Sequence, residues 1–219
     1  MSRAKTETVA IAVLAKAPVP GLAKTRLARA LGDVAAAALQ ERLTAEAVAA
    51  ACAAAIGPVT LWGTPDTSHA SFRALAQRHG ISLAQQPDGG LGARMLAAIE
   101  AAHGPALVIG ADCPTLAPRH LAISAEHLND GIDAVLIPAD DGGYVLIGMR
   151  RPRPALFNDM IWSTDSVATE TRRRLARMGL SWREPARLWD VDRPEDVARL
   201  QAARLEDLLP ADRILFQAR

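Results

Sequence analysis

Hydrophobic positions along the chain alternate between short, fully apolar runs and longer segments with helical spacing. Residues 8–15 form an apolar strand candidate, 33–55 a long Ala-rich helix, 58–62 a second strand and 66–79 a second helix. Residues 81–84 read as a weaker strand, 92–102 as a helix, 106–110 as another buried strand and 118–128 as the helix after it. Strands apolar on both faces, alternating with helices, predict a mostly parallel, doubly wound sheet, Rossmann-like in its first half. The second half breaks that rhythm. Residues 134–138 and 144–149 are strand candidates joined only by Ala139-Asp140-Asp141-Gly142-Gly143, a link too short for a crossover, so they are expected to pair antiparallel. Residues 150–154 read as a Pro/Arg loop, Asp165 as the cap of a helix over 166–178, 180–185 as an edge strand, and Pro194 as the opening of the last helix. The expected fold class is α/β, a three-layer α/β/α arrangement around a mixed, mostly parallel sheet. With no internal repeat or linker, residues 1–219 are expected to form a single domain.

Composition narrows the function classes. A chain of 219 residues, 50% hydrophobic and 22% charged, supports one sizeable core. Lys+Arg 25 against Asp+Glu 24 leaves a formal charge of +1, so no global field draws the chain to nucleic acid or an anionic membrane. Any phosphate recognition must be local. Aromatics at 4% leave few stacking platforms for single-stranded nucleic acid, and no nucleic-acid partner is expected. The longest apolar run, residues 47–56, is far short of the roughly 18 residues a membrane span needs. The first residues lack a signal-peptide core, and Cys52 and Cys113 are too few for a disulfide-stapled fold or a cysteine zinc site. The expectation is a cytoplasmic protein in a reducing compartment.

Candidate chemistry starts where the first strand ends. In open α/β sheets ligands bind beyond the carboxyl ends of the strands, which is where Ala15 and Lys16 lead into Ala-Pro-Val-Pro-Gly21-Leu-Ala-Lys24-Thr-Arg26-Leu27. Two prolines stiffen this loop, Gly21 permits close backbone approach, and Lys16, Lys24 and Arg26 supply cationic donors. Only three lysines occur, Lys5, Lys16 and Lys24, among 25 basic residues, so two of the three fall in one loop. The segment reads as a phosphate cradle, although it lacks the Walker A pattern.

Asp112, in Gly110-Ala-Asp112-Cys-Pro, follows a buried strand; a carboxylate there must be paired, metal-bound or used as a turn cap. In Asp190-Val-Asp192-Arg-Pro-Glu-Asp196 the alternation sends Asp190 and Asp192 to the same side, and Glu195 and Asp196 favour the start of the next helix. Gln86-Pro-Asp-Gly-Gly90-Leu-Gly92-Ala-Arg94 is a Gly-rich helix entrance that either meets a nucleotide or is a plain turn. Asp140-Asp141-Gly142-Gly143-Tyr144 has favoured hairpin chemistry and carries the sole tyrosine. Trp162-Ser163-Thr164-Asp165 is read first as a helix cap and second as an acceptor wall, and Arg172, Arg173, Arg174 and Arg177 as a solvated helix face. The five histidines lack metal-ligand spacing.

The order and spacing of these segments, across nearly the whole chain, resemble the small bacterial GT-A-type transferases of the nucleotide-diphospho-sugar transferase superfamily, usually labelled glycosyltransferases. That superfamily also contains nucleotidyltransferases for molybdopterin, keto-deoxy sugars and phospholactate. The resemblance implies an enzyme that binds a nucleotide or nucleotide-sugar and a small-molecule acceptor. Asp112 and Asp192 would ligate Mg²⁺ or Mn²⁺, with Asp190 as the fallback for the second position. Lys16, Lys24, Arg26 and Asp112 would carry the catalysis, and Ala15, Gly21, Gly90, Gly92 and Arg94 would join Lys16, Lys24 and Arg26 on the nucleotide. Asp141, Gly142, Gly143, Tyr144, Trp162 and Ser163 would line the second substrate. Glycosyl transfer with release of nucleoside diphosphate is the leading expectation, nucleotidyl transfer with release of pyrophosphate the alternative, and a non-catalytic nucleotide-binding module the third. A monomer and a homodimer are both compatible with the sequence.

Overall fold

The computed structural model describes residues 7–203 and 205–209. Seven strands form one sheet in the order β3-β2-β1-β4-β6-β5-β7. They are β1 (Ala10–Lys16), β2 (Val59–Thr64), β3 (Ser82–Gln85), β4 (Ala106–Gly110), β5 (Ala134–Pro138), β6 (Tyr144–Met149) and β7 (Trp182–Arg183). β1 pairs parallel with both β2 and β4, and β2 parallel with β3. β6 enters antiparallel between β4 and β5, as the short 139–143 link requires. Because β6 runs backwards, its first residue, Tyr144, lies at the same sheet edge as the ends of β1 and β4.

Eight α-helices follow in chain order among the described residues: α1 (Thr25–Leu31), α2 (Asp33–Ala53), α3 (Ala70–His79), α4 (Leu91–Ala101), α5 (Pro118–Asn129), α6 (Pro154–Phe157), α7 (Val167–Arg177) and α8 (Pro194–Ala202). Strand alternation divides the core between two faces. Ile11, Val13, Leu61, Leu107 and Ile109 pack with Val48 of α2, Phe72 of α3 and Leu121 of α5. Ala12, Val108, Leu136 and Ile147 face the other way, toward Met95 and Ile99 of α4, Phe157 of α6 and Leu175 of α7. A third cluster joins Leu27 and Leu31 of α1 to Leu39 and Leu43 of α2, Trp189, Val191 and Leu200 of α8. That cluster draws the 189–192 segment toward the first loop. The result is the expected α/β/α sandwich.

Several boundaries depart from the sequence reading. The first loop is shorter than expected, because residues 25–31 form α1, separated from α2 by Gly32 at φ 82°. α3 begins at Ala70 rather than at residue 66, since Asp66 accepts bonds from the Ser68 amide (2.7 Å) and hydroxyl (2.6 Å) and holds a turn there. Asp165 is not the cap of α7: Ser166 occupies that position, without a side-chain capping bond. The expected edge strand pairs over Trp182–Arg183 only, against β5. No described helix is long and apolar enough to cross a membrane.

Candidate functional site

At the carboxyl end of the parallel strands lies a cavity of about 510 Å³, floored by Leu14, Val108 and Ile109 and walled by Asp112, Tyr144, Trp162 and the 190–193 segment. Five aspartates line it, Asp112, Asp141, Asp165, Asp190 and Asp192, against Arg26 and Arg193.

Lys24 and Asp112 form the best-buried charge pair at this end. The Lys24 ammonium lies 2.7 Å from Asp112 Oδ1, with the lysine side chain 3% exposed and the aspartate 44%. Lys24 also donates to the Val191 carbonyl at 2.5 Å, while the Val191 amide donates to the Asp112 carbonyl at 2.9 Å. Three chain segments more than 70 residues apart are thereby closed into one ring of bonds. Lys24 itself sits at φ 48°, in the left-handed region, as the residue preceding α1. Arg26 pairs with Asp192 on the exposed rim. Asp196 accepts from the amides of Asp192 (3.0 Å) and Arg193 (2.8 Å), which fixes the turn into α8 and identifies Asp196 as structural.

Asp190 is the most perturbed carboxyl at the site. Burial, and then the charges of Asp141 and Asp112 facing it, push its pKa up to about 6, against a smaller opposing pull from its backbone bond and Lys24. The crowding of carboxylates suits a hard cation. Among the described residues, however, no group of three or more His, Cys, Asp or Glu side chains could hold a metal ion. The donor set therefore fits an ion held by one or two carboxylates plus phosphate oxygens, the usual manner of Mg²⁺, better than an all-protein cage. Cys113 also lines the cavity, but burial raises its thiol pKa, so it remains protonated.

The remaining sequence candidates divide. Asp141, Gly143, Tyr144, Trp162 and Ser163 line the cavity together with Arg26, Asp112 and Asp192. Gly142 lies behind that wall at φ 91°: a Cβ there would fall 2.0 Å from the Asp165 carbonyl, and the Ala168 amide donates to the Gly142 carbonyl at 2.9 Å. Tyr144 turns its hydroxyl inward to Met95 Sδ at 3.9 Å, and burial raises its pKa, so it contributes a wall rather than a proton. Ala15, Lys16, Gly21, Gly90, Gly92 and Arg94 do not line the cavity. Lys16 is exposed at the end of β1, while Ala15 gives its carbonyl to Gln86 Nε2 at 3.1 Å. Gly92 is buried under Trp162, where a Cβ would lie 2.6 Å from the indole. Arg94 folds back on the Gly89 carbonyl (3.2 Å) and Gln86 (3.3 Å) and clamps its own loop.

The 162–165 segment is a cavity wall rather than a helix cap, and Thr164 and Asp165 belong to it. The approach of the Asp165 backbone to Gly142 is a contact that local spacing does not encode. Arg193 lines the cavity as well; its position just before the Pro194 turn was the only signal in the sequence. The α7 arginines are engaged elsewhere, Arg172 with Glu184 (2.7 Å) and Arg174 with Glu170 (2.7 Å), and Arg173 also pairs with Glu170.

A sequence-family pattern described as "Uncharacterized protein conserved in bacteria" (DUF2064) matches residues 44–164. No curated protein sequence matches the chain. Among solved structures, a candidate nucleotide-diphospho-sugar transferase from Desulfovibrio desulfuricans G20 is similar over 85% of this chain and 83% of its own, at 26% identity and a TM-score of 0.77. A 4-diphosphocytidyl-2C-methyl-D-erythritol synthase from Anaerococcus prevotii DSM 20548 aligns over 93% of this chain and 99% of its own, at 11% identity and a TM-score of 0.60. Glucosyl-3-phosphoglycerate synthase from Mycobacterium tuberculosis, in complex with Mn²⁺, UDP and glucosyl-3-phosphoglycerate, aligns over 92% and 78%, at 11% identity and a TM-score of 0.55. The likeness to the last two is one of fold.

Proposed function

The chain belongs to the bacterial DUF2064 family, and from that premise we propose that it is a transferase that moves a glycosyl group from a nucleoside diphosphate sugar to a neutral hydroxyl acceptor. The observation that carries the choice is the state of the first-loop cations. Of the three, Lys24 is held by Asp112 and Lys16 lies outside the cavity lining, so only Arg26, paired at rest with Asp192, is left to meet a phosphate, which is little charge for a triphosphate. A nucleoside triphosphate brings more negative charge than the diphosphate of a nucleotide-sugar. With five aspartates against two arginines on the cavity wall, the lesser charge is the better match, and an anionic acceptor is disfavoured for the same reason.

In this reading Asp112 and Asp192 hold a divalent cation, Mg²⁺ or Mn²⁺. When bound, that ion neutralises charge on the departing diphosphate. Arg26, on the exposed rim, exchanges Asp192 for a phosphate oxygen when the nucleotide enters. Trp162 offers an aromatic face to the acceptor ring, with Ser163, Thr164 and Asp165 as hydrogen-bonding groups beside it. Asp190, ionised above about pH 6, accepts the proton of the attacking hydroxyl. The acceptor oxygen forms its bond to the anomeric carbon while the bond to the diphosphate breaks, and the electron pair leaves with the nucleotide.

The test is product analysis. The protein is incubated with Mn²⁺ and hydroxyl acceptors, once with a panel of nucleotide-sugars and once with a panel of nucleoside triphosphates. Acceptor-dependent release of nucleoside diphosphate from a nucleotide-sugar is the expected result. Pyrophosphate release from a triphosphate, with no nucleotide-sugar present, overturns the reading in favour of nucleotidyl transfer.

A further inference from the structure

Lys24 stands apart from the other loop cations. A surface phosphate ligand keeps its head group in water until the ligand arrives, whereas the Lys24 side chain is 3% exposed and already committed. Its ammonium meets Asp112 Oδ1 at 2.7 Å and the Val191 carbonyl at 2.5 Å. Withdrawing it would leave the buried Val191 carbonyl without that donor, which is costly, and the half-exposed Asp112 without its counter-charge. The left-handed backbone at Lys24 is fixed in turn by the bond from the Ala28 amide to its carbonyl, 3.0 Å, in the first turn of α1. Nothing in this arrangement presents Lys24 to a phosphate.

We infer that Lys24 is a positioning residue, an internal counter-cation that holds Asp112 in place and makes the site a poor binder of a bare divalent ion, so that the ion is taken up together with the nucleotide. The inference rests on the assignment of Asp112 as a ligand in the proposed function. Its physical basis is like-charge repulsion. An incoming divalent cation at Asp112 must lie within a few ångströms of a buried ammonium that occupies one carboxylate oxygen, where the low local dielectric strengthens the repulsion. A diphosphate entering with the ion offsets both positive charges. Nucleotide and ion therefore raise each other's affinity, as linkage requires.

The test measures Mn²⁺ binding by electron paramagnetic resonance, without substrate turnover, on the full chain. Four proteins are compared: wild type, Lys24→Gln, Lys24→Met and the double variant Lys24→Gln/Asp112→Asn. Glutamine keeps an N–H donor for the Val191 carbonyl while removing the charge, and methionine checks that the result follows the charge. Both single variants are expected to bind bare Mn²⁺ at least about tenfold more tightly than wild type, and the double variant is expected to lose the gain. Unchanged or weaker Mn²⁺ binding in folded Lys24→Gln overturns the inference. A separate arm adds UDP, GDP, CDP or ADP to wild type. Absence of Mn²⁺ uptake with every nucleotide would defeat the proposed metal-assisted transfer, while the nucleotide-free arm still decides the role of Lys24.

Discussion

Replacing Asp190 by Asn is expected to stabilise the folded protein progressively as pH rises from about 4, with the full gain reached above about pH 6. The carboxyl is pushed up to about 6 from an ordinary value of 3.8, chiefly by burial and then by Asp141 and Asp112. Between these two values the folded state binds the proton that the unfolded state has released, so stability falls as pH rises through the window. Above it the folded protein carries the full penalty of an ionised, crowded carboxylate. At about 1.4 kcal/mol per unit, the shift sets an upper bound of about 3 kcal/mol. Asp190 is only partly buried, and solvent screening brings the expected gain to roughly 1–2 kcal/mol. For a chain of this size that is about 2–8 °C in Tm. The assay is thermal unfolding of wild type and Asp190→Asn at pH 4 and pH 8, without metal or nucleotide. Coincident Tm values at pH 4 and a higher Tm for the variant at pH 8 are expected. A gap of equal size at both pH values, or a less stable variant at pH 8, refutes the reasoning. The same variant should lose turnover by at least about 10²-fold, the common exchange of stability for function at a strained site.

Other substitutions probe other parts of the site. Asp112→Ala leaves the Lys24 ammonium buried without its counter-ion and should cost about 3 kcal/mol, read as a drop of roughly 6–12 °C in Tm, with loss of nucleotide-dependent Mn²⁺ uptake. Gly92→Ala places a methyl group 2.6 Å from the Trp162 indole, so the ring must move; acceptor KM should rise several-fold, with nucleotide affinity unchanged in a fluorescence titration. Tyr144→Phe removes a long contact to Met95 and an interaction with the Thr171 hydroxyl, both away from the reacting groups, and should leave kcat and its pH profile within about threefold of wild type, since the buried phenol carries no proton chemistry.

Fold-level features were largely legible because they depend on local pattern. The buried runs at 106–110 and 134–138 could only be central strands, and five residues between 138 and 144 could only make a reversal. Site features divided according to the range of the interactions behind them. Asp112 was accessible as the carboxylate at the end of a buried strand. Its pairing with Lys24 was not, because the two meet only after α1 forms and the third cluster brings residue 191 to the same point. Arg26 and Asp192 lie 166 positions apart and pair for the same reason. Gly92 looked like part of a phosphate loop, but its missing side chain makes room for Trp162. Asp165 had the local chemistry of a helix cap, yet its backbone is pressed against Gly142 and the segment became a wall of the cavity.

The most direct test of the account is a crystal structure with Mn²⁺ and the nucleoside diphosphate that binds most tightly. The account predicts an anomalous Mn²⁺ peak bonded to Asp112 and to the diphosphate, with Asp192 turned from Arg26 toward the ion and Trp162 beside an open acceptor space. A nucleotide bound at the opposite end of the sheet, near His103 and Arg150, or Mn²⁺ with no bond to Asp112, would contradict it.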